Sequence, residues 1–538
     1  MMTDVAKDYV VFDPNKLVDS SHSLLTPGII TQALLKIPGI SAGEFKVDAV
    51  PSVTFEPDTN GLPPGPQDVF SVWYPEEAQA AQFRQAIHAS IDRKEEKFLS
   101  VGVNPLMMMA DFGRPDGADA SLFGTLDGAR RLIGADQLPA YLNGQTVNVV
   151  VVDSGIDKNA LPRGQFGGGW HPNPGGADLP VPPPPGLTTG EDALHGMMIA
   201  NNVLAMAPAA TIFDVPLIPP PKIYDAPSFL IMAHAVYRTI LRHIRQFRER
   251  GLFPGPWVFV NAWAIYDRRS EGANPGAYTE NLGYPPHFPP PHPFIRVIEQ
   301  VAADKFDTIF CAGNCGEVCP DGRCGPNDFG PGRGIWGANA HRDVLTVGGV
   351  RVDANWLGYS SEGPGPTPNL YAQKPDVCAP TQFVGASGRY PPNTGTSSSA
   401  GIAAGVVAAL RSQWDQGTVP PLVLKLMLNM TAWQPLNPGW NGWFGNGILN
   451  VLAAYQILLA NWPKSSLPAS RALAATGPAS PSASTAVTNL SRVFTQQRPT
   501  VLQARSRQSN WPAPRCLCRQ CRTPCHDRET SARSAAPG

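Results

Sequence analysis

The sequence has little charge for its length and no strong excess of either sign. Only 16% of its 538 residues are Asp, Glu, Lys or Arg, and the formal net charge is -1. This balance gives no electrostatic reason to expect a nucleic acid or an anionic membrane as partner. No segment approaches eighteen uninterrupted apolar residues, which argues against a transmembrane helix. The chain begins MMTDVAKDYVVF, without a basic head before an apolar stretch, so we expect no export signal and a cytoplasmic location, with non-classical export left open.

Cysteines are few, odd in number and mostly clustered. The chain has nine, and without an export signal this count does not predict a disulfide framework. The spacing of the first cluster is compatible with zinc, with one or two disulfides, or with reduced thiols; its members are Cys311, Cys315, Cys319 and Cys324. The second cluster is compatible with a small metal knuckle or with unbound thiols, and comprises Cys516, Cys518, Cys521 and Cys525, followed by His526.

Composition divides the chain into three regions. The hydrophobic content of 43% is enough for one large domain with appendages. We predict an N-terminal accessory region over residues 1–135, a large domain over 136–462, and a low-complexity tail over 463–538. From Lys464 onwards the tail has eleven Lys or Arg against two Asp or Glu. We expect this basic, apolar-poor tail to be disordered.

Apolar runs alternate with helical patterns in the large domain. The runs predict buried strands, and they are Val147 to Asp153, Ala210 to Leu217, Trp257 to Trp263, Asp307 to Gly313 and Asp343 to Val350. Ser228 to Arg250 has the apolar spacing of a helix, as does Pro75 to Lys97 in the first region. This order predicts an α/β fold with a doubly wound, mostly parallel sheet and helices on both faces. Such sheets place their sites at the carboxyl ends of the strands.

Three polar positions stand at strand or helix ends. Asp153 closes the run VNVVVVD, His195 precedes a glycine and an apolar helical stretch, and Ser397 lies in NTGTSSSAGIAAG. Each alone is ordinary: a turn Asp, a structural His or a Ser/Gly connector. Together they supply a nucleophile, a base and a carboxylate to orient the base. Their chain order, Asp, His, Ser, is that of subtilisin and differs from those of chymotrypsin and the α/β-hydrolases.

Several ordered blocks resemble the subtilisin-like serine peptidases, the subtilase family. They are VVVVDSGID, HGMMIANNVLAMAPAATIFDVPL, FCAGNCG, QKPDVCAPT, GTSSSAGIAAGVVAAL and GNGILNVLAA, and they extend over about Leu142 to Leu459. The resemblance implies a subtilisin-like fold and a serine endopeptidase that cleaves proteins or peptides through an acyl-enzyme. It assigns Ser397 as nucleophile, His195 as general base and Asp153 as its orienting carboxylate, with Asp157 as a rival. It assigns Asn314, with the backbone N–H of Ser397, to the oxyanion hole.

The sequence departs from the family pattern near the proposed cleft. Met197 and Met198 replace the usual Thr and His after the base. In the segment that pairs with the substrate backbone, the resemblance assigns Trp263 and Ala264, and it adds Gly313 across the cleft. Trp263 and Ile265 stand where smaller residues are usual, so we expect them to narrow the cleft. Ser398 and Ser399 occupy the usual Met and Ala positions, where we expect alanine to be tolerated.

The same residues are also compatible with two other functions. An inactive peptide-binding pseudoprotease and a non-peptidase acyl hydrolase with the same triad are the alternatives. The resemblance implies no cofactor for the chemistry, and it allows a structural calcium ion that the sequence does not locate. Substrate specificity, oligomeric state and the partner of the tail are not predicted. The segment from Val69 to Met109 suits a removable inhibitory propeptide, or a permanent accessory layer.

Overall fold

The structure is a computed structural model. It describes residues 8–12, 26–50, 52–56, 61–65, 68–74, 77–92, 99–103, 107–109, 122–173, 183–217, 229–272, 276–282, 291–366, 373–385 and 393–463. The predicted disordered tail from residue 464 onwards, with the second cysteine cluster, lies outside the described residues.

Strands and helices are numbered in chain order. The strands are β1 (Asp8–Phe12), β2 (Lys46–Ala49), β3 (Ser52–Glu56), β4 (Val69–Trp73), β5 (Leu99–Val103), β6 (Met107–Met109), β7 (Asn148–Asp153), β8 (Phe166–Asn173), β9 (Thr211–Pro216), β10 (Trp257–Asn261), β11 (Trp263–Ile265), β12 (Asp307–Cys311), β13 (Leu345–Val350) and β14 (Val377–Pro380). The helices are α1 (Pro27–Leu34), α2 (Glu77–Asp92), α3 (Leu126–Ile133), α4 (Leu194–Met206), α5 (Phe229–Glu249), α6 (Pro293–Ala303), α7 (Gly395–Arg411), α8 (Pro421–Thr431) and α9 (Val451–Asn461). In the described part of the chain, no helix is long and apolar enough to cross a membrane.

A central eight-stranded sheet organises the large domain. Its strand order is β14-β13-β12-β10-β7-β9-β8-β3. Neighbouring strands are parallel except for β3, which pairs antiparallel with β8 at one edge. The predicted mostly parallel, doubly wound α/β fold is therefore confirmed. The predicted C-terminal end of the strand Trp257 to Trp263 is wrong. The chain leaves the sheet after Asn261, and a separate strand, β11, begins at Trp263.

The two faces of the sheet pack into separate apolar clusters. Val149 and Val151 of β7 belong to one cluster, which includes α4 and α7. Val150 and Val152 belong to the other, which includes α5 and α6. Because successive strand residues point to opposite faces, a run of valines is what a sheet covered on both sides requires. The small residues of α7 allow close packing, since a Cβ at Gly405 would lie 2.7 Å from the Val203 carbonyl oxygen of α4.

The N-terminal residues contribute a second sheet and extend the first one. Strands β2-β4-β1-β5 form an antiparallel four-stranded sheet, and α2 lies inside the range predicted as a helix. Val53 and Phe55 of β3 are buried in the same apolar cluster as α5. The short strands β6 and β11 form a separate antiparallel pair. The predicted boundary near residue 135 stays a prediction.

Candidate active site

The carboxyl edge of the central sheet brings Asp153 and His195 together. Asp153 is the last residue of β7, and His195 lies in the first turn of α4. The His195 Nδ1 and the Asp153 Oδ1 are 2.6 Å apart, with the carboxylate fully buried. The Ser154 backbone N–H donates to the same Oδ1 at 2.7 Å. A buried carboxylate at Nδ1 orients the ring and favours a proton on that nitrogen, so that Nε2 is the basic nitrogen.

The loop after β7 touches the start of α4. The Gly196 N–H donates to Ser154 Oγ at 3.2 Å. A Cβ at Gly196 would lie 2.2 Å from the Gly155 carbonyl oxygen, and Gly155 has a φ of 114°. A side chain at Gly196 would therefore push the start of α4, which includes His195, away from the loop after β7.

Asp157, the rival carboxylate, has a local role. Its side chain accepts a hydrogen bond from the Asn159 N–H at 2.9 Å and caps a short turn of helix. Of the two aspartates, Asp153 is the one that bonds to His195.

Ser397 is fully buried in the first turn of α7. Its hydroxyl donates to the Ala262 carbonyl oxygen at 3.0 Å, at the point where the chain passes from β10 to β11. The first N–H groups of a helix lack intrahelical partners, and the helix dipole is positive at this end. A negative charge that develops near Ser397 would be stabilised there.

Asn314 follows β12 and is held by Thr396. Its Oδ1 accepts from the Thr396 backbone N–H at 3.0 Å and from the Thr396 hydroxyl at 2.9 Å. The Gly313 N–H donates to the same hydroxyl at 3.1 Å. With Oδ1 turned towards Thr396, the amide nitrogen of Asn314 lies on the opposite side of the group. The side chain is thus fixed beside Ser397 before any substrate binds.

The neighbouring serines are hydrogen-bonded, which the sequence did not indicate. Ser398 Oγ accepts from Asn202 Nδ2 at 3.1 Å, and Ser399 Oγ donates to the Ala379 carbonyl oxygen at 2.9 Å. Alanine at Ser399 would leave that buried carbonyl without this donor, at a cost of about 1 kcal/mol. Alanine at Ser398 or Ser399 is therefore more destabilising than packing alone suggests.

The predicted substrate-binding segment is β11, and another segment of the chain pairs with it. The backbone of Met107–Met109 runs antiparallel to β11, with Met109 opposite Trp263 and Met107 opposite Ile265. The expected narrowing by Trp263 and Ile265 is wrong, because both side chains are buried in the apolar cluster of α5 and α6. The Trp263 ring packs edge-on against aromatic neighbours at centroid distances of 4.9 and 5.2 Å, Phe229 and Phe310.

Gly313 and Ala264, two of the predicted substrate-binding residues, lie close to each other. A Cβ at Gly313 would lie 3.6 Å from Ala264 Cβ and 3.0 Å from Ser361 Oγ, and the Gly313 φ is 94°. The site therefore requires glycine at position 313. A contact of either residue with substrate stays a prediction.

The sequence did not indicate a further carboxyl group near the site, that of Asp214. Asp214 in β9 is fully buried, and its Oδ2 accepts from the Ile156 N–H at 3.1 Å and the Gly186 N–H at 2.8 Å. Burial raises the pKa of Asp214 to about 7, with a smaller contribution from the charge of Asp153. The signal for this residue was a single charged side chain inside the apolar run ATIFDVPL.

The first cysteine cluster contains one disulfide. Cys315 and Cys324 are bonded and close the loop that follows Asn314, while Cys311 and Cys319 are outside it. Burial raises the pKa of the Cys311 thiol to about 12. Among the described residues, no group of three or more His, Cys, Asp or Glu side chains is arranged to hold a metal ion. The sequence was compatible with zinc, with one or two disulfides, or with reduced thiols, and the structure contains one disulfide, between Cys315 and Cys324.

Residues 297–447 match the model of the subtilase family. This segment is similar to the subtilases. It includes Asn314 and Ser397, whereas Asp153 and His195 precede it. The resemblance drawn from the sequence is therefore confirmed for this segment.

Several solved structures are similar to the chain. Fervidolysin from Fervidobacterium pennivorans, a keratinolytic enzyme related to subtilisin, is 14% identical, with a TM-score of 0.44, over 87% of this chain and 62% of that one. MycP1 from Mycobacterium smegmatis is 16% identical, with a TM-score of 0.38, over 69% of this chain and 95% of that one. A mutant form of the protease domain of PatA is 19% identical, with a TM-score of 0.37, over 61% of this chain and 100% of that one. No curated protein matches the sequence.

Proposed function

We propose that the protein is a serine endopeptidase that hydrolyses peptide bonds through an acyl-enzyme. The observation that carries this proposal is the buried Asp153–His195 hydrogen bond at the edge of the sheet that also bears Asn314. Ser397, in the first turn of α7, supplies the nucleophile. A carboxylate, a base, a hydroxyl and an oriented amide are the groups that acyl transfer requires.

Each side chain has a separate task in the proposed reaction. His195 removes the proton from the Ser397 hydroxyl as it attacks the peptide carbonyl, and it later donates that proton to the leaving amine. Asp153 fixes the ring and stabilises the imidazolium that forms. The Asn314 amide and the Ser397 backbone N–H donate to the oxyanion. Water then hydrolyses the acyl-enzyme, again with His195 as the base.

The pairing of β6 with β11 favours an extended peptide as substrate. A strand edge that already binds one extended segment provides backbone hydrogen bonds that do not depend on the side chains of the peptide. Because β6 runs antiparallel to β11, its last residue, Met109, lies opposite Trp263, the first residue of β11. The preceding residue, Ala262, accepts the hydrogen bond of the Ser397 hydroxyl at its backbone carbonyl. We infer that the N-terminal region blocks the cleft until it is cut or displaced, and that the cut directly follows Met109.

Labelling by a fluorophosphonate probe tests the nucleophile. Wild-type protein should incorporate one probe per chain at Ser397, and Ser397→Ala should incorporate none. Ser399→Ala is the matched control, because it removes a buried hydroxyl two residues away and should keep the label. If folded wild-type protein binds peptides but does not react with the fluorophosphonate probe, the result would instead favour an inactive pseudoprotease.

Two further measurements separate the remaining alternatives. Turnover of a casein-type protein substrate as well as a short ester supports an endopeptidase, whereas turnover of the ester alone indicates another acyl hydrolase. Mass spectrometry under denaturing conditions tests the N-terminal region: the wild-type chain should be cut after Met109, and the Ser397→Ala chain should be uncut. An uncut chain in fully active protein would contradict the blocking role.

A further inference from the structure

Two buried carbonyl groups meet where β11 begins, beside the end of β12. The Trp263 carbonyl begins β11, and the Cys311 carbonyl ends β12. Both groups are acceptors, so they cannot bond to each other, and buried carbonyls need donors. The Asn339 amide nitrogen donates to both, at 2.8 Å to Trp263 and 2.9 Å to Cys311. The Cys311 thiol also donates to the Trp263 carbonyl, with the sulfur and oxygen 3.4 Å apart.

Asn339 is itself held firmly in place. It is fully buried, and the Thr346 hydroxyl donates to its backbone carbonyl at 2.6 Å. The end of β12 is also fixed, because the Ala312 N–H donates to the Val347 carbonyl of β13 at 2.9 Å. The Asn339 amide therefore ties β11, which is otherwise outside the central sheet, to a rigid part of that sheet.

We propose that Asn339 is a positioning residue that holds the peptide-pairing edge of β11 in register with the oxyanion group. The inference rests on the proposed function. Trp263 is the β11 residue opposite Met109, and Asn314 lies three residues after Cys311. One amide thus sets the spacing between the backbone that would hold the peptide and the side chain that would hold the oxyanion.

Substitutions of Asn339 separate its hydrogen bonds from its shape. Asn339→Leu keeps the number and branching of the side-chain heavy atoms but removes both N–H donors, so two buried carbonyls lose a partner. Asn339→Ser retains one hydroxyl donor and should give an intermediate effect. Asn148→Leu is the matched control, because Asn148 is also a buried asparagine whose amide nitrogen donates to two carbonyls, those of Phe253 and Pro256. It lies at the start of β7, at the opposite end of that strand from Asp153.

Hydrogen exchange tests the positioning role without requiring activity. In a Ser397→Ala background, Asn339→Leu should speed exchange of the amides in Trp263–Ile265 by about tenfold or more, because local opening of β11 becomes easier. The amides of β7 should keep their rates. Asn148→Leu should leave β11 unchanged. Equal exchange of β11 in wild type and Asn339→Leu overturns the proposal, and so does a uniform increase over the whole sheet.

Kinetics then test the consequence for the reaction. For Asn339→Leu we expect kcat/KM for an extended peptide to fall by about tenfold, equivalent to about 1.4 kcal/mol, whereas kcat/KM for a short ester changes less than twofold. Rates are expressed per site titrated with fluorophosphonate, so unfolded protein does not contribute. A parallel loss on both substrates overturns the positioning role. Absence of fluorophosphonate labelling in the wild type would refute the proposed function. The hydrogen-exchange experiment does not require activity, so it would still test whether Asn339 positions β11.

Discussion

Replacing Asp214 by asparagine should make the stability of the protein less sensitive to a rise in pH from about 4 to about 7. The Asp214 carboxyl group is fully buried, and its Oδ1 has no hydrogen-bond partner among the described residues. Burial, opposed by two backbone N–H groups, raises its pKa from 3.8 to about 7. The folded protein therefore keeps a proton that the unfolded chain releases near pH 4. Stability falls as pH rises from about 4 to about 7, and the loss levels off above that range.

The size of the effect follows from the shift. About three pKa units at about 1.4 kcal/mol each give a loss of about 4 kcal/mol at pH 8. At pH 5 only about 2 kcal/mol of that loss has developed. Asparagine has no carboxyl group to ionise, and its side-chain oxygen can still accept from the Ile156 and Gly186 N–H groups. Relative to the wild type, the Asp214→Asn variant should therefore gain about 2–3 kcal/mol between pH 5 and pH 8.

Urea unfolding at pH 5, 6, 7 and 8 measures this difference. The Ser397→Ala background avoids self-digestion during the measurement. Asp328→Asn is a suitable control, because it removes a buried carboxylate paired with Arg268 and should destabilise the protein at every pH in this range. If the stability curves of Asp214→Asn and its parent stay parallel from pH 5 to pH 8, the reasoning from burial is wrong.

Three other substitutions have defined expectations. Asn314→Ala should lower kcat by about 10²–10³-fold with little change in KM, the range found for this donor in subtilisin, and an unchanged kcat would argue against an oxyanion role. Arg411→Met leaves the buried Asp307 without its positively charged partner and should cost about 3–5 kcal/mol in urea unfolding. Cys315→Ser opens the disulfide to Cys324, whose sequence separation is 9, and should cost about 3 kcal/mol.

Controls accompany these substitutions. Arg269→Met breaks an ion pair of the exposed Arg269 with Asp267, and it should cost far less stability than Arg411→Met because water screens the pair. A loss as large as that of Arg411→Met would show that burial does not account for the difference. Reductant should destabilise the wild type to the level of Cys315→Ser and leave that variant unaffected. Sensitivity of the variant to reductant would show that the disulfide is not the cause.

Local patterns predicted the fold and the identity of the chemical groups well. The apolar runs Val147 to Asp153 and Asp307 to Gly313 predicted strands, because both faces of the sheet are covered. Short polar signals at strand ends marked the candidate site, since parallel strands end at one edge. The family match confirms the resemblance, while the catalytic roles of Asp153, His195 and Ser397 stay predictions.

What the sequence did not reveal depends on distant contacts. Nothing in the residues around Asn339 indicates that its amide bridges two strands far away in the chain. The strand register of Trp263 decides whether its ring faces the cleft or the core, and an apolar run without alternation does not specify that register. The choice of Cys324 as the partner of Cys315 likewise depends on the path of the intervening loop.

Strand β3 changes what a cut in the N-terminal region would mean. It is the last strand of the central sheet, where Ser52–Glu56 pairs with β8, and it shares the apolar cluster of α5. Departure of residues 1–109 would expose the backbone edge of β8 to solvent. Hydrolysis after Met109 should therefore yield a nicked particle of two polypeptides: a denaturing gel would resolve two bands, while gel filtration would give one peak at the mass of the uncut chain.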